Sequence, residues 1–553
     1  MKSPGQKMVM VLWVLAVVLC FTTAVAASDA VIQGVVTDAN GKPIRGAVVR
    51  ATAGPKSVIR YSQVDGHYEI AVPSGSYDVT ADAWGFAPKK QAKDTTQAGA
   101  TDFKLTPKID VTRLSSAEIE GMLPDTDEGK MIKTTCSGCH AFQTVLTRRG
   151  STAAEWAAFL PTMTDRRFQL PMWSPERVAA YSRGLEKYFG PDAPYFGPDA
   201  DAPDASLIKH TNLSDAALKA TIREYNVPTT GAMAHSITVD QKSGMVWFSE
   251  YDYLSNKIAR FNPNTEKFDE FPLPVAKALP HTGVVLKDGG YIVALAQYNI
   301  PAKLATVDTA SNVKIYEWAE NKAGGHTATL DPTGNYVWMT TTAEDEVWRF
   351  DLTKKEFRAY KYPLATAAPE GSQAALEIGP RGRVSSGAYD VTIDSKGIAW
   401  VSQLALGNII RIDPETGATK TYHTAGVRSV RGLTSDAQGD IWFADFYGHK
   451  LGKLDVETGM MKEFQPPTPN AAPYGLVVDR NSGSIWYCDT VGNNIGRFDP
   501  KTEQFVEYAL PTRNTSVRFM GVDAKGRGWY SGFWSGKIGV IDPEGSKQVA
   551  AAH

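Results

Sequence analysis

The chain has 553 residues, 43% of them hydrophobic, 21% charged and 10% aromatic, with a formal net charge of −2. That composition excludes wholesale disorder, a collagen repeat and a coiled coil, and the near balance of 58 Lys+Arg against 60 Asp+Glu leaves no basic signature for nucleic acid. Length allows three or four domains at about 150 residues each, and four cysteines are too few for a disulfide scaffold.

Residues 1–26 read as a signal peptide. Lys2 and Lys7 precede an apolar run from Met8 to Phe21, and Ala24-Val25-Ala26 fits a small-residue cleavage site. The run is short for a membrane span, and no other stretch of about 20 apolar residues follows. A periplasmic or secreted chain is expected, with no membrane span after cleavage. Cys20 would leave with the leader; Cys136, Cys139 and Cys488 would stay.

Over 31–107 short apolar runs alternate with turn signals. VIQGVVTD, AVVRATA, HYEIAV and SYDVTADA predict strands, and Asn40-Gly41, Asp65-Gly66 and Ser74-Gly75 predict turns. Such spacing predicts a small antiparallel β-sandwich. GVVTDANGKPIRGAVV, DGHYEI and VPSGSYDV resemble the carboxypeptidase regulatory-like domain, which implies an accessory or adhesion module. His67 reads as a surface turn residue without chemistry.

Over 110–190 the period becomes helical. Ser115-Ser116-Ala117-Glu118, Ser151-Thr152 and Ser174-Pro175-Glu176 read as helix starts. Between the first two lies Cys136-Ser137-Gly138-Cys139-His140, the most specific motif in the chain. C-x-x-C-H is the attachment motif for c-type haem: two thiols bond the vinyl groups and the adjacent imidazole ligates iron. One covalent haem c on Cys136 and Cys139, with iron on His140, is the expectation. A zinc site would want two more Cys or His at short spacing, which the region lacks. The block resembles single-haem cytochromes c, in which a Trp helix is followed by a methionine. That resemblance implies an all-α cytochrome c-like domain with Met163, seven residues after Trp156, as sixth ligand, and Met172 as the alternative. The segment Phe189 to Pro203, FGPDAPYFGPDADAP, is rich in Pro and Asp, and residues 191–220 read as a stiff linker.

Residues 221–547 form a repeat array. Trp247, Val293, Trp338, Trp400, Trp442, Trp486 and Trp529 recur at steps of 46, 45, 62, 42, 44 and 43 residues. A second ladder, Asn262, Asp308, Asp351, Asp413, Asp455, Asp499 and Asp542, runs in register with the first. Four short strands per repeat predict a seven-bladed β-propeller. The long step carries a Gly/Ser/Ala/Pro-rich insertion, Ala365 to Ser386. Ile222-Arg223-Glu224-Tyr225 matches Phe505-Val506-Glu507-Tyr508, so this early segment is expected to complete blade seven. The fold class is therefore multidomain and mainly β.

NKIARFNPNTEKFDEFPLP and NNIGRFDPKTEQFVEYALPT resemble the virginiamycin B (streptogramin) lyase propellers. The resemblance implies a carbon–oxygen lyase with a histidine base in a late blade and magnesium-binding acids. Here one position per blade opens the inner strand: His235, His281, His326, Tyr389, Arg431, Tyr474 and Arg518. The histidines are early and the late blades offer Arg and Tyr, so the family's catalytic residues do not carry over. A structural position would repeat one apolar type, whereas this one gathers side chains fit for a metal, a general base or an anionic small molecule. A second metal in the channel is one expectation. Glu250, Gln403, Asp445 and Asp489 form a further polar set, and Cys488 reads as buried and inert.

Three functions follow. The first is an exported single-haem cytochrome with a substrate- or partner-binding propeller and a redox partner protein. The second is a streptogramin lyase-like enzyme; the third is a non-catalytic binding module with an electron relay.

Overall fold

The computed structural model describes residues 29–139, 142–165, 170–171, 173–200, 203–252, 255–296, 303–317, 324–341, 346–362, 387–404, 406–424 and 429–545. The expected signal peptide, His140, Met172 and the insertion from Ala365 to Ser386 lie outside them. The architecture is mainly β, with a short helical segment between two β regions.

In the first region Asp29–Thr37 pairs antiparallel with His67–Pro73 and parallel with Phe103–Lys104. Facing it, Val48–Ala53 pairs with Lys56–Tyr61 and with Ser76–Asp82, which in turn pairs with Lys89–Asp94. Alternation puts Tyr68, Ile70 and Val72 into the core, where they meet Val49, Ala51 and Val79. The sequence pattern does not announce Lys56–Tyr61. Its side chains are covered on both faces, Val58 by the sandwich core and Ile59 and Tyr61 by the propeller, so period-2 alternation is lost.

The helical segment holds α1 (Ser116–Met122), α2 (Asp127–Cys139), α3 (Gln143–Leu146), α4 (Ala153–Phe159) and α5 (Pro175–Phe189). Ser115 and Thr152 each form a reciprocal capping box, with Glu118 and Glu155, and Ser174 caps α5 with Pro175 in its first turn. Ile119, Ile132, Phe142, Trp156, Leu185 and Phe189 form its core. Two expectations need correction here. The segment is not purely helical, because Thr164–Asp165 pairs with Leu170–Pro171. Nor do Cys136 to Cys139 lie between helices: they form the last turn of α2, since Asp127 and Glu128 seed a helix ahead of them.

The stretch 191–220 is not a spacer. Phe196 is buried and stacks on Phe189 at 5.0 Å, Ile208 joins the helical core, and Ala217 and Leu218 enter the propeller-side core. Proline and aspartate set its turns, but four apolar anchors decide where it packs.

Seven sheets follow among the described residues, six of them four-stranded in sequence order. The inner strand of each contacts the next, and the seventh, Val517–Val522, contacts the first, Ala234–Val239, closing a wheel. In three blades the repeated Trp is tied to an aspartate six residues before it. Asp394, Asp436 and Asp523 cap their turns and also accept the indole N–H of Trp400, Trp442 and Trp529 at 2.9–3.0 Å. These three indoles are thereby fixed between blades with their one donor satisfied.

Blade seven has three strands of its own, and Thr221–Asn226 supplies the fourth by pairing with Lys537–Asp542. The same strand pairs by its other edge with Lys56–Tyr61, so blade seven and the sandwich share one eight-stranded sheet. Glu224 on that strand is buried yet satisfied: it accepts from Tyr530 Oη at 3.0 Å and Thr512 Oγ1 at 2.6 Å and faces Arg50 at 3.5 Å. Ile222 fills the adjoining core at 0% exposure. Ile222→Ala is expected to destabilise the closed wheel by about 2–5 kcal/mol. Denaturant unfolding followed by tryptophan fluorescence checks this, and an unchanged midpoint would show that the shared strand does not clamp the ring.

Candidate functional site

The seven inner-strand residues come together. Each is the second residue of its strand, and in every blade the inner ladder shifts register there, between Ala234 and Ile237 in blade one and between Val517 and Met520 in blade seven. A β-bulge re-aims a side chain that regular pairing would point along the sheet face. Around the axis, ring centroids lie 4.0 Å apart for His235–His281, 3.9 Å for His281–His326 and 4.1 Å for His326–Tyr389. Tyr389 and Tyr474 then join hydroxyl to hydroxyl. Arg431 lies over Phe446 at 3.9 Å and Tyr474 at 4.9 Å; Arg518 lies over Phe533 at 4.0 Å. Phe519 bridges the circle, touching His235, His281 and Tyr474.

The site is polar and buried. His235, His281, His326, Tyr389, Arg431 and Tyr474 are each at most 6% exposed. Burial pushes His235 well below the usual imidazole range, helped by the charges of Arg518 and His326, and His281 shifts the same way. Burial and Tyr474 push the Tyr389 hydroxyl well up, so neutral His235, His281 and Tyr389 face two guanidinium groups. His326 Nδ1 contacts the Tyr389 carbonyl oxygen at 2.8 Å, and His281 Nδ1 contacts Thr282 Oγ1 at 2.9 Å. The imidazoles thus follow one another around the wall instead of converging on a point. Among the described residues no group of three or more His, Cys, Asp or Glu is arranged to hold a metal ion.

The second polar set ties turns together. Asp489 Oδ1 accepts from Ala472 N at 2.8 Å and Gly492 N at 2.9 Å, and burial pushes its carboxyl up to about 6. Asp445 Oδ1 accepts from Gly448 N at 3.0 Å, and Gln403 Oε1 from Asn408 Nδ2 at 3.0 Å. Burial and the neighbouring Glu270 push Glu250 up to about 7. Cys488 is fully buried and burial raises its thiol well above the usual range, which leaves it inert.

The helical segment docks at this mouth. Ala117 N donates to Val491 O at 3.1 Å, and Asn470 Nδ2 donates to Ala117 O at 3.2 Å. Ala117 belongs to the same buried cluster as Tyr389, Phe446, Tyr447 and Tyr474. Next to it, Ser116 Oγ accepts from Phe142 N at 2.8 Å and donates to Gln143 Oε1 at 3.0 Å, which ties α1 to the residues just after the C-x-x-C-H motif. Cys136 is half-buried, and it and Met163 pack against the same helical core. Trp173 Nε1 donates to Met163 O at 3.1 Å. Sequence reading missed Tyr251, Phe446, Tyr447 and Phe533, although three of them stand one residue past the second strand of their blades, a periodic signal open to inspection.

Residues 380–551 match the virginiamycin B lyase family, and residues 31–107 match the carboxypeptidase regulatory-like domain. The propeller is virginiamycin B lyase-like. A streptogramin B lyase structure superposes with a TM-score of 0.51 at 23% identity, covering 60% of this chain and 99% of that one. Virginiamycin B lyase from Staphylococcus aureus gives a TM-score of 0.50 at 21% identity, covering 58% and 99%. These likenesses are of fold. Among curated proteins none matches the chain.

Asp390, beside Tyr389, staples two blades: its carboxylate accepts from Val391 N at 2.9 Å and Leu433 N at 2.7 Å. Burial nevertheless pushes it up to about 7. A carboxyl whose folded pKa is raised contributes stability that is present below its unfolded value and lost as pH rises through the folded one. Asp390→Asn is therefore expected to gain stability relative to the parent between pH 5 and pH 8, by on the order of a few kcal/mol. Paired melting curves across that range check it; a difference that does not change with pH would refute the assignment.

Proposed function

We propose that the chain is an exported redox protein in which one covalent haem c on the helical segment serves a substrate- or partner-binding ring at the propeller mouth. Cys136 and Cys139 would form the thioethers, and His140 and Met163 would ligate iron, with Met172 as the alternative to Met163. The donor set fits. Cys136 and Cys139 stand in the last turn of α2, the Cys136 side chain packs on the core that also receives Met163, and the Trp173 indole tethers the Met163 backbone. When bound, such a group supplies one-electron transfer, and methionine–histidine ligation raises its potential and leaves no iron position open to substrate.

The observation that carries the reading is the docking of α1. Ala117 joins the ring's aromatic cluster while Ser116 holds the backbone of Phe142, two residues past His140. One turn of helix therefore links the motif to the ring. Phe446 and Tyr447 stand beside the ring residues and shield them from water; Arg431 and Arg518 supply positive charge for an anionic substrate. The solvent side of the helical segment is left for a redox partner protein. A lyase reading draws on the propeller's likeness alone, because no histidine stands at the late-blade ring positions.

Protein made in a haem-attaching host is expected to be coloured, to show a methionine–iron charge-transfer band, and to lose colour in Cys136→Ser/Cys139→Ser. Met163→Ala is expected to abolish that band and lower the midpoint potential, while Met172→Ala leaves both unchanged. Visible spectroscopy with redox titration decides it. Colourless wild-type protein would overturn the redox reading, and loss of the band in Met172→Ala alone would reassign the sixth ligand.

A further inference from the structure

We propose that the ring binds a small oxyanion that still carries a hydroxyl, such as a hydrogen phosphate- or hydrogen sulfite-type species. The inference rests on the reading of the ring as the substrate end of the protein, and it names the substrate class.

The argument starts from His235. Its side chain is 0% exposed, yet neither ring nitrogen makes a hydrogen bond. The His281 backbone is the least of the influences on its titration, and the His281 carbonyl oxygen already accepts from Ser249 Oγ at 2.6 Å. A neutral imidazole has one N–H to give and one lone pair to fill. Leaving both unmet in a protein interior is costly, so a buried polar group of this kind marks the place of a ligand or ordered water.

The surroundings choose between ligands. His235 faces His281, Phe519 and Phe533, and the charges that act on it are those of Arg518 and His326. Across the ring, the groups that act on Arg431 are Tyr389, Tyr474 and Tyr447, and it remains charged against burial. A cation would meet two guanidinium groups and is disfavoured. A bare anion would be drawn to the positive charge of the guanidiniums but would leave the imidazole lone pair unmet. An oxyanion bearing one O–H answers both: its charged oxygens accept from Arg431 and Arg518, and its hydroxyl donates to His235. Close, tilted packing of the histidines, near 4 Å between centroids, restricts the ligand to a few heavy atoms. Access is from the blade-seven side, where Arg518 and Phe519 stay half-buried.

Isothermal titration calorimetry on the full-length protein at pH 6 tests this with inorganic phosphate and sulfite as ligands, and nitrate and perchlorate as hydroxyl-free controls. One site per chain is expected for phosphate or sulfite, with the controls at least tenfold weaker. Arg431→Gln and Arg518→Gln are expected to weaken binding tenfold or more, and Arg518→Lys to recover part of it. His235→Phe is expected to remove the preference over nitrate while keeping residual anion binding. Melting curves of each variant separate a lost ligand from a lost fold. No binding by wild type, or binding that none of the folded variants alters, would overturn the proposal. The visible spectrum of the same samples keeps the two readings apart. Coloured protein that binds no oxyanion sinks this inference alone; colourless protein that binds it sinks the redox reading alone.

Discussion

The ladder of hydrogen bonds on both edges of Thr221–Asn226 is the constraint on which the molecule depends. A wheel of blades is closed only if the last sheet takes a strand from far away in sequence, and here that strand arrives 290 residues or more before the others of its blade. Because its second edge is also taken, by Lys56–Tyr61, neither the propeller nor the sandwich is left with an open edge at their junction. Burying Glu224 inside this joint is tolerable because Tyr530, Thr512 and Arg50 meet it from both domains. The helical segment is spliced between the sandwich and this strand, so closing the wheel also limits how far α1 can stray from the mouth it covers.

Within the wheel, two demands are met by different parts of each blade. Stability comes from the outer aromatics: Trp247 stacks on Tyr291 at 5.1 Å, and the turn aspartates saturate the indole N–H of Trp400, Trp442 and Trp529. The inner bulge carries what stability would not choose, namely imidazole, phenol and guanidinium groups held out of water. The depressed His235 and His281 and the raised Tyr389 measure that tension.

Much of this was legible in the chain itself. The paired Trp and Asp ladders have a period set by blade geometry, so they reveal the number of blades, and the match of Ile222-Arg223-Glu224-Tyr225 to Phe505-Val506-Glu507-Tyr508 reveals the closing strand. Capping at Ser115, Thr152 and Ser174 is local chemistry and reads directly. What stayed hidden depends on partners distant in sequence. Lys56–Tyr61 has no alternation because two domains cover it, Phe196 sits in a proline-rich stretch whose composition says linker, and Phe519 crosses the axis only because six other blades surround it. The close packing of the three histidines was equally invisible, since one residue per blade gives membership of a ring but not the direction each side chain takes.

The bulge at the head of every inner strand has a wider implication. Because each ring residue is presented by its own spoke, with the ladder on either side of the irregularity intact, exchanging one such residue leaves the neighbouring spokes in place. The hub is therefore a combinatorial surface of seven letters, and a lineage can rewrite its chemical vocabulary one letter at a time while the rim that supports it goes on unchanged.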